Sequence, residues 1–251
     1  MSNPCILEIC VESAEHAAAA ERGGADRVEL CSDLASGGVT PSLALMQAAR
    51  KQLRIPIHVM IRTRPGDFYY SASELETMRQ QIIAAKQEGI DGIVLGVLRA
   101  DAHIDVDQTA ELVSLAHPLP VTFHRAFDLT RDLVEALEDV IATKAARILT
   151  SGAQRRAIDA LPMLATLVQA AKSRISLMIC GGINPQNIEQ VIRSTHAPEV
   201  HSSVGTSKAH ATSSEWHDSE NGSNLSSQVF GNRVASLVRV LRGINSNQPI
   251  S

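Results

Sequence analysis

Aromatic residues are scarce in this chain of 251 residues, at 3% of the total. Aliphatic side chains and alanine must therefore build the core, and little stacking surface remains for single-stranded nucleic acid. No run of lysine and arginine stands out, and the net charge is −4, so no nucleic-acid partner is expected. No stretch of about 18 apolar residues occurs, so no membrane span is expected. Met1-Ser2-Asn3-Pro4 is not followed by the apolar segment of an export signal. The four cysteines, Cys5, Cys10, Cys31 and Cys180, include no CxxC pair, which argues against a structural zinc site. Without an export signal they are expected as reduced thiols in the cytoplasm.

What is present is a repeating pattern. Short runs rich in valine, isoleucine and leucine alternate with helical segments from end to end. The predicted strands are Cys5–Val11, Arg27–Cys31, Pro56–Ile61, Gly92–Val97, Pro120–His124, Arg147–Thr150, Ile175–Cys180 and Glu199–Ser202. Continuous apolar runs of this length suit strands covered on both faces. Helix starts are read at Thr40-Pro41, at Asn184-Pro185 and at a capping box beginning at Ser73. Gly23 and Gly89 stand where helices should stop. A last helix is predicted over Gln228–Arg242, with Val234, Leu237, Val238 and Leu241 as its buried face. Strand–helix units in this number close into a (β/α)8 TIM-like barrel of class α/β, a single domain over 1–251. A doubly wound open sheet is the rival, but Ile9 to Ser13 lacks the glycine that such a fold places after its first strand. The segment Thr206–Ser227 is rich in serine, asparagine and histidine and contains Trp216, the single tryptophan. It reads as a flexible insertion or, since loops after barrel strands border the active face, as a lid.

The polar residues of the strands carry the chemistry. The first strand contains Leu7-Glu8-Ile9-Cys10 and the second Val28-Glu29-Leu30-Cys31, both apolar-Glu-apolar-Cys. Residues two apart share a face of a strand. If the apolar members pack on helices, Glu8, Cys10, Glu29 and Cys31 converge on the barrel axis. Buried carboxylates need cations, and His58, Arg62, Arg64, His124, Arg125 and His201 are the partners read from parity and position. Two outcomes stand side by side: a closed ion-pair network, or a polar pocket for a small anionic or phosphorylated ligand. In the pocket, Glu8, Glu29, Arg62, His124, Arg125, Asp128 and His201 are the candidate acid, base and anion-holding groups. Asp128 either orients His124 or caps the following helix. Ser151, Gly181, Gly182, Ser202 and Ser203 lie after the last three strands and are candidates for an anion cradle. Cys10 and Cys31 admit a further reading as soft ligands for Cu(I); the plain alternative is that both are small buried residues.

With these residues in view the sequence resembles the CutC copper-homeostasis family. The matching stretches are LEIC at 7–10, ERGGADRVELC at 21–31, GGVTPS at 37–42, MIRTRPGDFYYS at 60–71, PLPVTFHRAFD at 118–128, RILTSG at 147–152 and EVHSS at 199–203. The resemblance implies a TIM-like barrel, a cytoplasmic location, a homodimer or larger homo-oligomer, and a part in copper handling with Cu(I) held by the cysteines ending the first two strands, here Cys10 and Cys31. Two departures stand out. The family's RPRGGDF is Arg62-Thr63-Arg64-Pro65-Gly66-Asp67-Phe68 here, and the Cys and Arg that some members carry after the last strand are replaced by Ser202-Ser203-Val204-Gly205.

Overall fold

The computed structural model describes residues 5–204 and 225–246. Eight parallel strands close in sequence order into a barrel: β1 Ile6–Val11, β2 Arg27–Leu30, β3 Ile57–Met60, β4 Gly92–Leu95, β5 Val121–Phe123, β6 Arg147–Thr150, β7 Ser176–Ile179 and β8 Glu199–Ser202. The helices α1 Ala14–Arg22, α2 Leu43–Gln52, α3 Ala72–Gln87, α4 Val106–Ala116, α5 Leu133–Ala142, α6 Leu161–Ala171, α7 Ile188–Thr195 and α8 Ser227–Ser246 form the outer ring. The α/β barrel expected from the alternating pattern is what the chain forms. Most of Thr206–Ser227, including Trp216 and Gly205 before it, lies outside the described residues.

Parity sorts the side chains. Leu7, Ile9 and Val11 of β1, Val28 and Leu30 of β2, and Ile57 and Val59 of β3 face outward and pack with Ala17, Ala20, Met46, Met78 and Ile82 of the helices. The alanines of α1 let that helix lie close to the strands, which suits a core poor in aromatics. The alternate residues face the axis. The strand registers stack them in layers drawn from every second strand, the usual filling of this fold. From the floor upward these are Arg27, Gly92, Arg147 and Glu199; then Glu8, His58, Thr122 and Met178; then Glu29, Val94, Leu149 and His201; then Cys10, Met60, His124 and Cys180. Cys31, Gly96, Ser151 and Ser203 continue the alternation at the mouth.

Several local expectations shift by one turn. α2 is capped by Ser42, whose hydroxyl accepts from Leu45 N–H, not by Thr40. The Thr40 hydroxyl instead donates to Arg62 O and accepts from Arg62 N–H, tying two strand-end loops together. The capping box of α3 is Ser71 with Glu74, two residues before the predicted start. The turn at Asn184-Pro185 precedes α7, which begins after Asn187. At α2 and α7 the proline signal marks the approach and the helix starts a few residues later, whereas at α3 the capping hydroxyl lies two residues earlier, at Ser71. The last helix covers the predicted span and extends to Ser246, with Val234, Leu237, Val238 and Leu241 buried.

Candidate metal centre

The floor of the barrel is a closed chain of ion pairs. Arg27 donates through Nε to Glu8 at 2.5 Å and through Nη2 to Glu199 at 2.5 Å. Arg147 also donates to Glu199, at 3.0 Å, as does the Ser176 hydroxyl at 2.6 Å. Burial by itself raises a carboxyl's pKa, but Arg27 and then His201 outweigh it at Glu8 and hold that group well below the ordinary carboxylate range. At Glu199 burial is likewise outweighed by Arg147 and Arg27, and the pKa is lowered. Sequence reasoning missed Arg27, Arg147 and Glu199. Parity was the available signal: Arg27 stands two residues before Glu29, and Glu199 two before His201.

Above the floor the groups soften. Glu8 Oε1 lies 2.8 Å from His201 Nδ1. An ionised carboxylate only accepts, so in the neutral ring the proton sits on Nδ1 and Nε2 is an acceptor. That Nε2 is directed toward Glu29, 3.9 Å from Oε2. Glu29 is 3% exposed and burial raises its pKa. Its Oε2 accepts from the Cys10 thiol at 3.1 Å, and Cys10 Sγ lies 3.5 Å from Cys31 Sγ. The two sulfurs are unbonded, since a disulfide needs about 2.0 Å. The hydrogen bond to Cys31 and then burial push the Cys10 thiol well up. At Cys31 the bond with Cys10 favours the thiolate, but burial together with the charges of Glu29, Glu12 and Asp33 outweighs it and the pKa is raised. One ligand atom each from Cys10, Glu29 and His201 lie within 4.8 Å of one another. Leu34, Met60 and Val94 pack around the two thiols.

The remaining predicted residues divide. His124 is buried, its Nδ1 accepting from Ala126 N–H at 3.2 Å, and burial followed by the Arg62 charge lowers its pKa to about 3. Its ring is accommodated by Gly96, where a Cβ would lie 2.5 Å from Nδ1; Gly92 leaves equal room for His58. Arg62 turns away from an anion-holding role. Its guanidinium donates to the carbonyls of Ser36, Gly38 and Gly66 and stacks over Phe68 at 4.7 Å, bracing the loop that covers the cysteines. Asp128 neither orients His124 nor caps α5, which Asp132 caps. It accepts from Thr150 Oγ1 and from the N–H groups of Ser151 and Ala153, fastening the end of β6. Arg125 joins that cluster, reaching Asp128 at 3.2 Å and the Ser151 hydroxyl at 3.0 Å.

The residues of the expected anion cradle are also largely committed. Ser151 donates to Gln154 O, and Ser202 faces the helices and donates to Ile183 O. Gly181 and Gly182 have φ of 94° and 66°, and the Gly182 carbonyl accepts from Asn184 and Asn187 side chains. Ser203 is half-buried at the mouth. Cys5 is core at the opposite end, its pKa raised to about 12 by burial. Cys180 packs inside the barrel with Leu149 and Met178. An open cleft of about 510 Å³ beside the mouth, lined by Glu12, His16, Asp33 and Leu225 among others, touches none of these predicted residues.

A closed (β/α)8 barrel whose strand ends bring two thiols, a carboxyl and an imidazole together over a neutralised ionic floor defines a class of barrel with a soft, buried donor cluster. Residues 5–206 match the CutC family, and the chain belongs to that family. It is 41% identical over 248 residues to the human copper homeostasis protein cutC homolog, covering 98% of this chain and 91% of that one. A CutC family protein of Mesorhizobium japonicum is 48% identical across 78% of this chain and 76% of its own. The crystal structure of CutC from Streptococcus agalactiae superposes with a TM-score of 0.76 at 32% identity, covering 79% of this chain and 98% of that one. Thiamine phosphate pyrophosphorylase from Pyrococcus furiosus, with a TM-score of 0.59 at 14% identity over 96% of each chain, shares the fold alone. Among the described residues no helix is long and apolar enough to cross a membrane.

Proposed function

We propose that this chain binds Cu(I) through the thiolates of Cys10 and Cys31 as part of copper homeostasis. The carrying observation is the 3.5 Å approach of two reduced sulfurs at the C-terminal end of the barrel, beside the orphaned Oε1 of Glu29. Thiolates select soft ions, and the covering loop and mouth residues shield them from water. The four free thiols fit a reducing compartment, and the cytoplasm is where this reading places the protein. An anaerobic Cu(I) titration against a chromophoric chelator tests it. The wild-type chain is expected to take one ion, and Cys10→Ser/Cys31→Ser to lose at least about a hundredfold in affinity, within the weight of metal-site ligands. Equal affinity of the two chains refutes the reading. Gel filtration with light scattering tests the homodimer that family membership leads one to expect.

One observation favours a second reading, acid–base chemistry on a small anionic or phosphorylated molecule. Glu29 Oε1 and His124 Nε2 are buried with no hydrogen-bond partner among the described residues, and such atoms are costly unless something pairs with them. A ligand that binds the folded state raises its melting temperature. A thermal-shift screen of phosphorylated metabolites with the metal-free chain is therefore expected to find a stabiliser; no shift with any of them removes this reading.

A further inference from the structure

We infer that His201 is a third ligand to the metal, supplied through Nε2, and that Glu8 is the positioning residue that aims it. The inference rests on the two-thiolate reading above and extends it. At a thiolate–metal distance of about 2.3 Å, two sulfurs on opposite sides of an ion stand about 4.6 Å apart. Cys10 and Cys31 stand 3.5 Å apart, so an ion between them is bent out of line and has an open side. Which group occupies that side is decided by what the barrel places there.

Three candidates stand beside the Cys10 thiol. Glu29 is closest, with Oε2 at 3.1 Å from Cys10 Sγ, but a carboxyl oxygen is a hard donor, poorly matched to a soft ion. Met60 packs against both thiols and offers a thioether. His201 belongs with Cys10 and Glu29 to the cluster whose ligand atoms lie within 4.8 Å of one another; Cys31 stands outside that cluster, so it or His201 must draw in for one ion to meet all three. His201 alone has the second contact characteristic of a metal-bound imidazole, its other ring nitrogen bonded to a carboxylate. Here that carboxylate is Glu8, 2.8 Å from Nδ1, fully buried and locked in turn by Arg27. The floor of ion pairs thus fixes both the ring orientation and the tautomer that leaves Nε2 as an acceptor. A neutral imidazole adds no further charge to a buried site already holding two thiolates.

X-ray absorption on the Cu(I)-loaded wild-type chain reads the donors directly. Two sulfurs and one nitrogen with the outer-shell scattering of an imidazole are expected. Two sulfurs with no nitrogen, or three sulfurs as Met60 would give, overturn the His201 assignment while leaving the thiolate reading intact. An ion without sulfur neighbours overturns the thiolate reading and this one with it. The His201→Gln chain keeps a donor toward Glu8 and is expected to bind one ion through two sulfurs, about tenfold to a hundredfold more weakly. Unchanged affinity in that variant overturns the proposal. Glu8→Gln is expected to retain both sulfurs but lose intensity in the imidazole scattering; an unaltered spectrum overturns the positioning role. Should the His201→Gln chain not fold, the wild-type spectrum still decides.

Discussion

Removing the Arg27 guanidinium tests whether the ionic floor is held together as a unit. Arg27 spans Glu8 and Glu199, and the side chains of all three are no more than 6% exposed. In Arg27→Met, Glu199 keeps Arg147 and Ser176, but Glu8 retains only His201 and the more distant His58 at 3.8 Å. Breaking a buried pair while one charge stays behind costs about 3–5 kcal/mol. For a chain of this size that is a fall of about 6–20 °C in melting temperature. The pH dependence identifies the cause. A carboxyl whose folded pKa is depressed contributes stability that is present above its unfolded value and is lost as pH falls through the folded one. Without Arg27, burial dominates and Glu8 takes up a proton at higher pH than in the wild type. The deficit is therefore full near pH 7.5 and shrinks toward pH 5. Adding Glu8→Gln to Arg27→Met removes the stranded charge, so the double variant is expected to be more stable than the single one. Urea unfolding followed by circular dichroism at the two pH values measures all of this. A loss under about 1 kcal/mol at pH 7.5, or one that does not change with pH, would refute the reasoning.

Gly96→Ala and Gly92→Ala each place a methyl about as close as 2.5 and 2.4 Å to the rings of His124 and His58, and overpacking of this kind costs about 1–3 kcal/mol; melting temperatures within about 1 °C of wild type would show that the rings have room to move. His58 and His124 have pKa values lowered to about 4 and about 3, first by burial. Both are neutral in the fold, while the unfolded chain protonates them below about pH 6.5, so stability is expected to fall as pH drops from 6.5 toward 3, and His58→Gln is expected to flatten that limb; an acid limb identical to wild type contradicts it. Because Cys10 and Cys31 are raised toward the thiol form, Cu(I) must displace their protons, and affinity is expected to climb with pH by up to about a hundredfold per unit; a titration that is flat from pH 6 to 8 excludes thiols as the donors.

Much of this site is legible as parity. The paired LEIC and VELC segments place Glu8, Cys10, Glu29 and Cys31 inward because their apolar neighbours must face the helices, and alternation in β8 adds His201. The same rule extends to Arg27 and Glu199, which answer the charge of Glu8 and Arg27 in turn. Gly92 and Gly96 are the other unread signal: two positions without side chains, at the start of β4 and just past its end, where the rings of His58 and His124 lie. What parity does not reveal is where a long side chain ends. Arg62 has inward parity, yet its guanidinium is captured by three loop carbonyls. Asp128, read as a cap for the following helix, serves the end of β6 instead because Thr150 and Ser151 offer donors within reach. Those outcomes depend on loop paths, which no periodicity encodes.

The vertical arrangement of the barrel interior explains why the acidic and basic groups need not compete with the thiols as a second centre. At the floor, Glu8 and Glu199 face Arg27 and Arg147, two anions against two cations. Charge is balanced there and each carboxylate accepts from several donors, so that level is closed to a ligand. Above it, Oε1 of Glu29 in the third layer and Nε2 of His124 in the fourth are buried without a hydrogen-bond partner among the described residues. Most buried polar atoms of a folded chain are paired, so these two inward-facing atoms at the level of the thiols are where a guest would find partners. His58 Nδ1 is a further unpaired atom, nearer the floor and 3.8 Å from Glu8, and others, such as Thr109 Oγ1 on α4, lie outside the barrel interior. His58 sits opposite Gly92 and keeps its ring neutral by burial, so it adds no charge to the balance. The ionic groups below thus act on the mouth indirectly, by holding Glu8 ionised and so fixing the face that His201 turns toward Cys10 and Glu29.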